Sequence, residues 1–96
     1  MFIYVIGPAE GPQKIGLSGD VEKRLQTLQT GSPVTLIIHH TEEVNPKKVR
    51  LLEKKIHNEL NHKRVKGEWF DLSPEDAKAF VVFFVIRYGE DPLLGI

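Results

Sequence analysis

Apolar positions recur along this chain with two different periods, and the switches between them divide it into elements. Phe2 to Ile6 is β-branched and aromatic, and Lys14 to Leu17 resembles it, so both read as strands. The turn-rich Gly7-Pro8-Ala9-Glu10-Gly11-Pro12 between them is short enough for a hairpin. Alternation sets Ile3, Val5, Ile15 and Leu17 at one parity, and Tyr4, Lys14, Gly16 and Ser18 at the other. The hairpin is therefore expected to have one apolar face and one face carrying Tyr4 and Lys14.

The period then lengthens. Val21, Leu25 and Leu28 recur at i, i+4 and i+7 behind Asp20, an N-cap residue, predicting a helix that ends near Gly31. Arg24 sits roughly 60° off that stripe, at the border between core and solvent. After Pro33, Val34 to Ile38 predicts a third strand ending in His39-His40. Pro46 opens a longer helix to about Asn61. Its buried stripe is Val49, Leu52, Ile56 and Leu60, with Glu53 on one flank, His57 as the i+4 neighbour of Glu53, and Arg50 and Lys54 just beyond.

Glu68 to Leu72 is expected to be a short strand. Ser73-Pro74-Glu75-Asp76 is a helix start, with a capping serine, proline at the first position and acids in the first turn. The following Ala77 to Tyr88 is apolar on nearly every side and reads as a helix. The order is ββαβα, a short segment and a C-terminal helix. With no repeat or linker, residues 1–96 are expected to form one α+β domain.

Composition adds mainly exclusions. The chain has no cysteine, so disulfides and thiolate zinc sites are out, and a reducing, cytoplasmic location is expected. The N-terminus lacks the basic start of a signal peptide, and the longest apolar run, Phe80 to Ile86, is too short to span a bilayer, so no membrane partner is expected. Four histidines invite a zinc hypothesis, but no H-E-x-x-H spacing occurs.

The thirteen basic and thirteen acidic side chains cancel, which argues against a nucleic-acid partner until their order is examined. Residues 47–66 carry eight basic side chains against two acids, whereas 1–46 and 67–96 are both net acidic. The neutral total conceals a basic segment. It includes Arg50, Lys54, Lys63, Arg64 and Lys66, the candidate phosphate contacts.

Several short blocks together resemble a known superfamily. Phe2-Ile3-Tyr4, a hairpin loop, Lys14-Ile15-Gly16 and then a helix arginine, Arg24, are similar to the GIY-YIG nucleases. Leu28-Gln29-Thr30-Gly31-Ser32-Pro33, Leu52-Glu53-Lys54-Lys55-Ile56-His57 and Gly67-Glu68-Trp69-Phe70 narrow the resemblance to its phage-protein and meiotically up-regulated-gene branch, over about residues 2–80. The resemblance implies a three-stranded antiparallel sheet flanked by helices, with a metal-dependent nuclease site on one face. By position, Tyr4 matches the tyrosine of the first tripeptide, Arg24 the helix arginine and Glu53 the metal-binding glutamate. Lys14 stands where a second tyrosine is usual, and Phe2 where glycine is. For the further His and Asn of that family the candidates are His57, Glu68 and the His39-His40 pair. Gly16 and Ser18 adjoin the site.

These residue types suit phosphodiester hydrolysis. Glu53 offers a hard oxygen ligand to one Mg²⁺ or Mn²⁺ ion. Arg24 can hold two phosphate oxygens at once. Tyr4 is the candidate base, and Lys14 on the same strand face is expected to favour its phenolate. The leading reading is a metal-dependent DNA endonuclease. A nucleic-acid-binding module without cleavage, and an interaction domain or homodimer using the apolar last helix, stay open beside it.

Overall fold

The first two predicted strands form the middle of a sheet. In a computed structural model of the chain, which describes residues 1–89, β1 (Phe2–Gly7) and β2 (Gln13–Ser18) pair antiparallel, with Tyr4 opposite Gly16 and Ile6 opposite Lys14. This register puts Tyr4, Gly16 and Lys14 on one face and Ile3, Val5, Ile15 and Leu17 on the other, as their parity requires.

The third strand, β3 (Ile37–Glu43), pairs with the far side of β1 and starts later than expected. Gln29 explains the shift. Its side-chain amide donates to the Val34 carbonyl at 2.9 Å and accepts from the Leu36 N–H at 2.7 Å, which ties that segment to the preceding helix instead of the sheet. The strand that does form, Ile-Ile-His-His-Thr-Glu-Glu, is largely polar because it lies at the sheet's edge. His39 donates from Nε2 into the loop, 3.2 Å from the Gly7 carbonyl and 2.9 Å from that of Pro8. His40 pairs with Glu42 at 2.9 Å.

The expected three-stranded sheet is in fact five-stranded, in the order β3-β1-β2-β5-β4. The additional pair is a hairpin of β4 (Arg64–Lys66) and β5 (Trp69–Phe70), in which β5 pairs with β2 at Gln13 and Lys14. Its turn holds Gly67 at φ +56°, a left-handed conformation that L side chains rarely adopt. The run Arg64-Val65-Lys66 is exposed throughout and too short to show an alternating pattern.

Helix α1 (Val21–Thr30) is capped by Asp20, whose carboxylate accepts from the Lys23 N–H at 3.1 Å. It covers the Tyr4 face, where Tyr4, Ile6, Val21 and Leu36 form one buried cluster with Leu25 and Leu28 against it. Both sheet faces are thus covered. The second helix, α2 (Val49–Glu59), begins after Pro46, because Asn45 first closes a turn, accepting from Lys47 N–H on its side chain and from Lys48 and Val49 N–H on its carbonyl. It ends before a single 3₁₀ turn, Asn61–Lys63. The last helix, α3 (Pro74–Tyr88), is capped by Ser73 Oγ, which accepts from the Asp76 N–H at 3.0 Å. Helices α2 and α3 cover the other face, burying Leu52, Ile56, Ala77, Val81 and Phe84 against Ile3, Val5, Ile15 and Phe70. Among the described residues, no helix is long and apolar enough to cross a membrane.

Candidate functional site

Beyond Lys14 and Ile15, β2 runs past the end of its short pairing with β5, and several chemically active side chains meet around that stretch. Tyr4 reaches across the sheet over Gly16. A Cβ at Gly16 would lie 2.5 Å from the Tyr4 hydroxyl and 3.0 Å from Glu68 Oε1, so only glycine permits the approach. The tyrosine ring is almost fully buried, so its hydroxyl is held in one place.

From the other side, α2 brings Glu53 and His57 to the same place, one turn apart. One ligand-type atom from each of Glu53, His57 and Glu68 lies within 4.8 Å of the others. Glu68 comes from the tip of the β4–β5 hairpin, and the Glu68 carbonyl accepts from the Ile15 N–H at 3.1 Å, fixing that tip to β2. Lys14 Nζ donates to Glu68 Oε1 at 2.8 Å. His57 Nε2 lies 2.8 Å from the Ile15 carbonyl, which can only accept, so Nε2 carries the proton and the lone pair of the neutral ring is at Nδ1.

The electrostatics follow from this crowding. Burial, and then the charge of Glu68, push the Glu53 carboxyl up from 4.5 to about 7, with Lys14 and Arg50 pulling the other way. Burial holds His57 below its ordinary value, so it is neutral at physiological pH. Burial and Glu68 raise Tyr4 to about 12, with Arg24 acting against them. The expected ease of phenolate formation is therefore not met, since burial outweighs the positive charges nearby, and the Lys14 ammonium is paired with Glu68. Glu53 Oε2 is buried without a hydrogen-bond partner among the described residues. A carboxylate oxygen without a partner beside a second carboxylate and an imidazole suits a divalent cation.

Arg24 lies on the exposed side of α1 and lines a hollow with Ser18, Asp20, Lys23 and Thr27. Ser18 is occupied structurally: its hydroxyl donates to the Asp20 carbonyl at 2.9 Å and accepts from the Asp20 N–H at 3.0 Å. Arg50, Lys54, Lys63 and Lys66 are exposed, and Arg50 is near enough to Glu53 to act on its charge. Arg64 serves the protein itself. Its guanidinium donates to the carbonyls of Gly67 and His57, its Nε donates to Asn61 Oδ1 at 3.1 Å, and its Cζ lies 5.0 Å from the centre of the Phe70 ring. It therefore ties the end of α2 to the hairpin that carries Glu68. The His39-His40 pair lies on β3, separated from β2 by β1, and does not join the cluster. Trp69 is half-buried beside the Tyr4 cluster and Phe70 is fully buried.

The fold thus gathers a tyrosine, two carboxylates, an imidazole and a lysine around the interior strand β2, and its family suggests a nuclease-like or DNA-binding role. The chain is a member of the T5orf172 domain family, whose family model matches residues 1–85; the domain is phage-associated and related to nuclease-like folds. No curated protein and no solved structure matches the chain significantly.

Proposed function

We propose that this domain is a metal-dependent endonuclease of the GIY-YIG type that hydrolyses DNA phosphodiester bonds. The observation that carries this reading is the meeting of Glu53, His57 and Glu68 within 4.8 Å beside the Tyr4 hydroxyl. Glu53, through the oxygen that has no hydrogen-bond partner among the described residues, Glu68 and His57 would hold one ion. Two carboxylates and an imidazole suit Mn²⁺ at least as well as Mg²⁺. When bound, the ion supplies positive charge that polarises the scissile phosphoryl group.

The remaining steps are carried by the chain's own groups. Arg24 grips two non-bridging phosphate oxygens and stabilises the charge that grows on them. Burial, and then the charges of Glu68 and Glu53, keep the Tyr4 hydroxyl a neutral donor. Arg24 acts the other way, and a phenolate formed by loss of the hydroxyl proton to solvent would take a proton from the attacking water. Arg50 and Lys54 on the outer side of α2, with Lys63 and Lys66, meet the flanking phosphates.

One observation favours a second reading. The Lys14 ammonium already sits 2.8 Å from Glu68, as a built-in cation would, and this fits a DNA-binding module without cleavage. Supercoiled plasmid incubated with Mg²⁺ or Mn²⁺ separates the two. Metal-dependent nicking by the wild type and none by Glu53→Ala supports the enzyme. Salt-sensitive DNA binding without nicking by either protein supports the second reading.

A further inference from the structure

Helix α3 buries Ala77, Val81 and Phe84 on the sheet and turns a second apolar stripe away from it. Phe83 is 59% exposed and Ile86 77%, with the small Ala79 one turn before Phe83. Beside this stripe runs a groove between α3 and the end of α2, lined by Leu72, Ala79, Phe80, Phe83, Phe84 and Tyr88. Its two ends carry opposite charge. Glu59 and Asp76 line one end. At the other, Lys55 Nζ lies 4.5 Å and Arg87 Cζ 5.4 Å from the centre of the Tyr88 ring. Among the described residues, neither the Asp76 carboxylate nor the Arg87 guanidinium has an ion-pair partner.

We infer that this face binds the same face of a second copy of the chain, α3 lying antiparallel to α3 across a two-fold axis. Asp76 and Arg87 are eleven residues apart, three turns plus about 20°, so both lie along the Phe83 stripe, one near each end. A two-fold axis between Phe80 and Phe83 reverses the second helix. Asp76 then meets the second copy's Arg87, and Arg87 meets its Asp76, forming two equivalent ion pairs. The same axis sets Phe83 opposite the second copy's Phe80, beside the gap that Ala79 leaves. The surface is thus self-complementary in shape and charge, as a two-fold interface requires.

Parallel pairing would instead oppose like charges at both ends. A nucleic acid, negative along its length, would be repelled by the Glu59–Asp76 end. None of Tyr4, Lys14, Glu53, His57 and Glu68 lines the groove, so pairing leaves their site open and does not depend on the nuclease reading.

Sedimentation equilibrium of the full chain tests the inference, with far-UV circular dichroism confirming that each variant is folded. Wild type is expected to be a dimer of 10.9 kDa chains, and Phe83→Glu a folded monomer, since the side chain is already largely exposed. D76R and R87D alone each place like charges at both ion-pair positions and are expected to weaken the dimer about tenfold. An equimolar mixture of the two restores both pairs across the axis, as does the D76R/R87D double variant, and both are expected to regain wild-type affinity. Three results overturn the inference: a wild type still monomeric at about 100 μM, a Phe83→Glu dimer as tight as wild type, or a mixture no tighter than its two components.

Discussion

Replacing Glu53 by glutamine is expected to abolish activity and yet stabilise the fold in alkaline buffer. The carboxyl is held at about 7 rather than 4.5 because the fold strips it of water and sets Glu68 beside it. Between those two values the native carboxyl keeps a proton that the unfolded chain has already released. The folded state therefore binds more protons, and stability falls as pH rises from 4.5 to about 7, then levels off. Carrying the ionised group costs the folded state about 3 kcal/mol at 1.36 kcal/mol per pH unit. Solvent that still reaches the site reduces this to roughly 2 kcal/mol.

Glutamine has the same shape and no charge to desolvate. Glu53→Gln should match wild type at pH 4.5 and exceed it by about 2 kcal/mol at pH 8, a rise of roughly 10 °C in Tm for a chain this size. Urea unfolding followed by circular dichroism in EDTA, at both pH values, measures the difference. Adding Mn²⁺ at pH 8 should stabilise wild type more than the variant, which keeps only Glu68 and His57 of the three donors. Equal stability of the two proteins at pH 8, or a variant less stable there, would refute the reasoning.

Three further outcomes test neighbouring parts of the site. Gly16→Ala forces a Cβ to within 2.5 Å of the Tyr4 hydroxyl, and chemical unfolding should show a loss of about 1–3 kcal/mol together with lost activity. Tyr4→Phe should keep the fold and its melting temperature to within a few degrees, while single-turnover rates fall about 10²- to 10⁴-fold. Lys14→Met removes a charge that lowers the Glu53 carboxyl, so the acid limb of the pH–rate profile should move to higher pH, and an unshifted limb would count against the Lys14–Glu68–Glu53 coupling.

Much of this geometry was legible in the chain because it rests on local rules. Strand parity alone put Tyr4, Lys14 and Gly16 on one face, and side-chain oxygens at Asp20 and Ser73 marked two helix starts. What escaped depends on partners distant in sequence. Arg64-Val65-Lys66 forms a strand only because Trp69 and Phe70 dock on β2, and no period is visible in three exposed residues. The late start of β3 depends on the amide of Gln29, five and seven residues from its partners.

The same holds for charge. A run of basic residues suggested that Arg64 faces phosphate, but its hydrogen bonds run to His57, Gly67 and Asn61. The closeness of Lys14 to Tyr4 suggests an activated phenolate, but burial, and then Glu68, raise the tyrosine, and Glu68, fifty-four residues from Lys14, is also the lysine's ion-pair partner. Proximity within a strand could be read. Which of several nearby charges would neutralise which could not.

In the proposed function, Glu53, His57 and Glu68 would bind a metal that serves DNA cleavage beside Tyr4 and Arg24. The most direct test is nicking of supercoiled plasmid across a Mn²⁺ titration, with wild type and Glu53→Gln side by side in the alkaline buffer where the variant is the more stable protein. Nicking by wild type that rises with metal and saturates, with none by the folded variant, is the predicted result. Nicking in EDTA, or equal nicking by the two proteins, would contradict it.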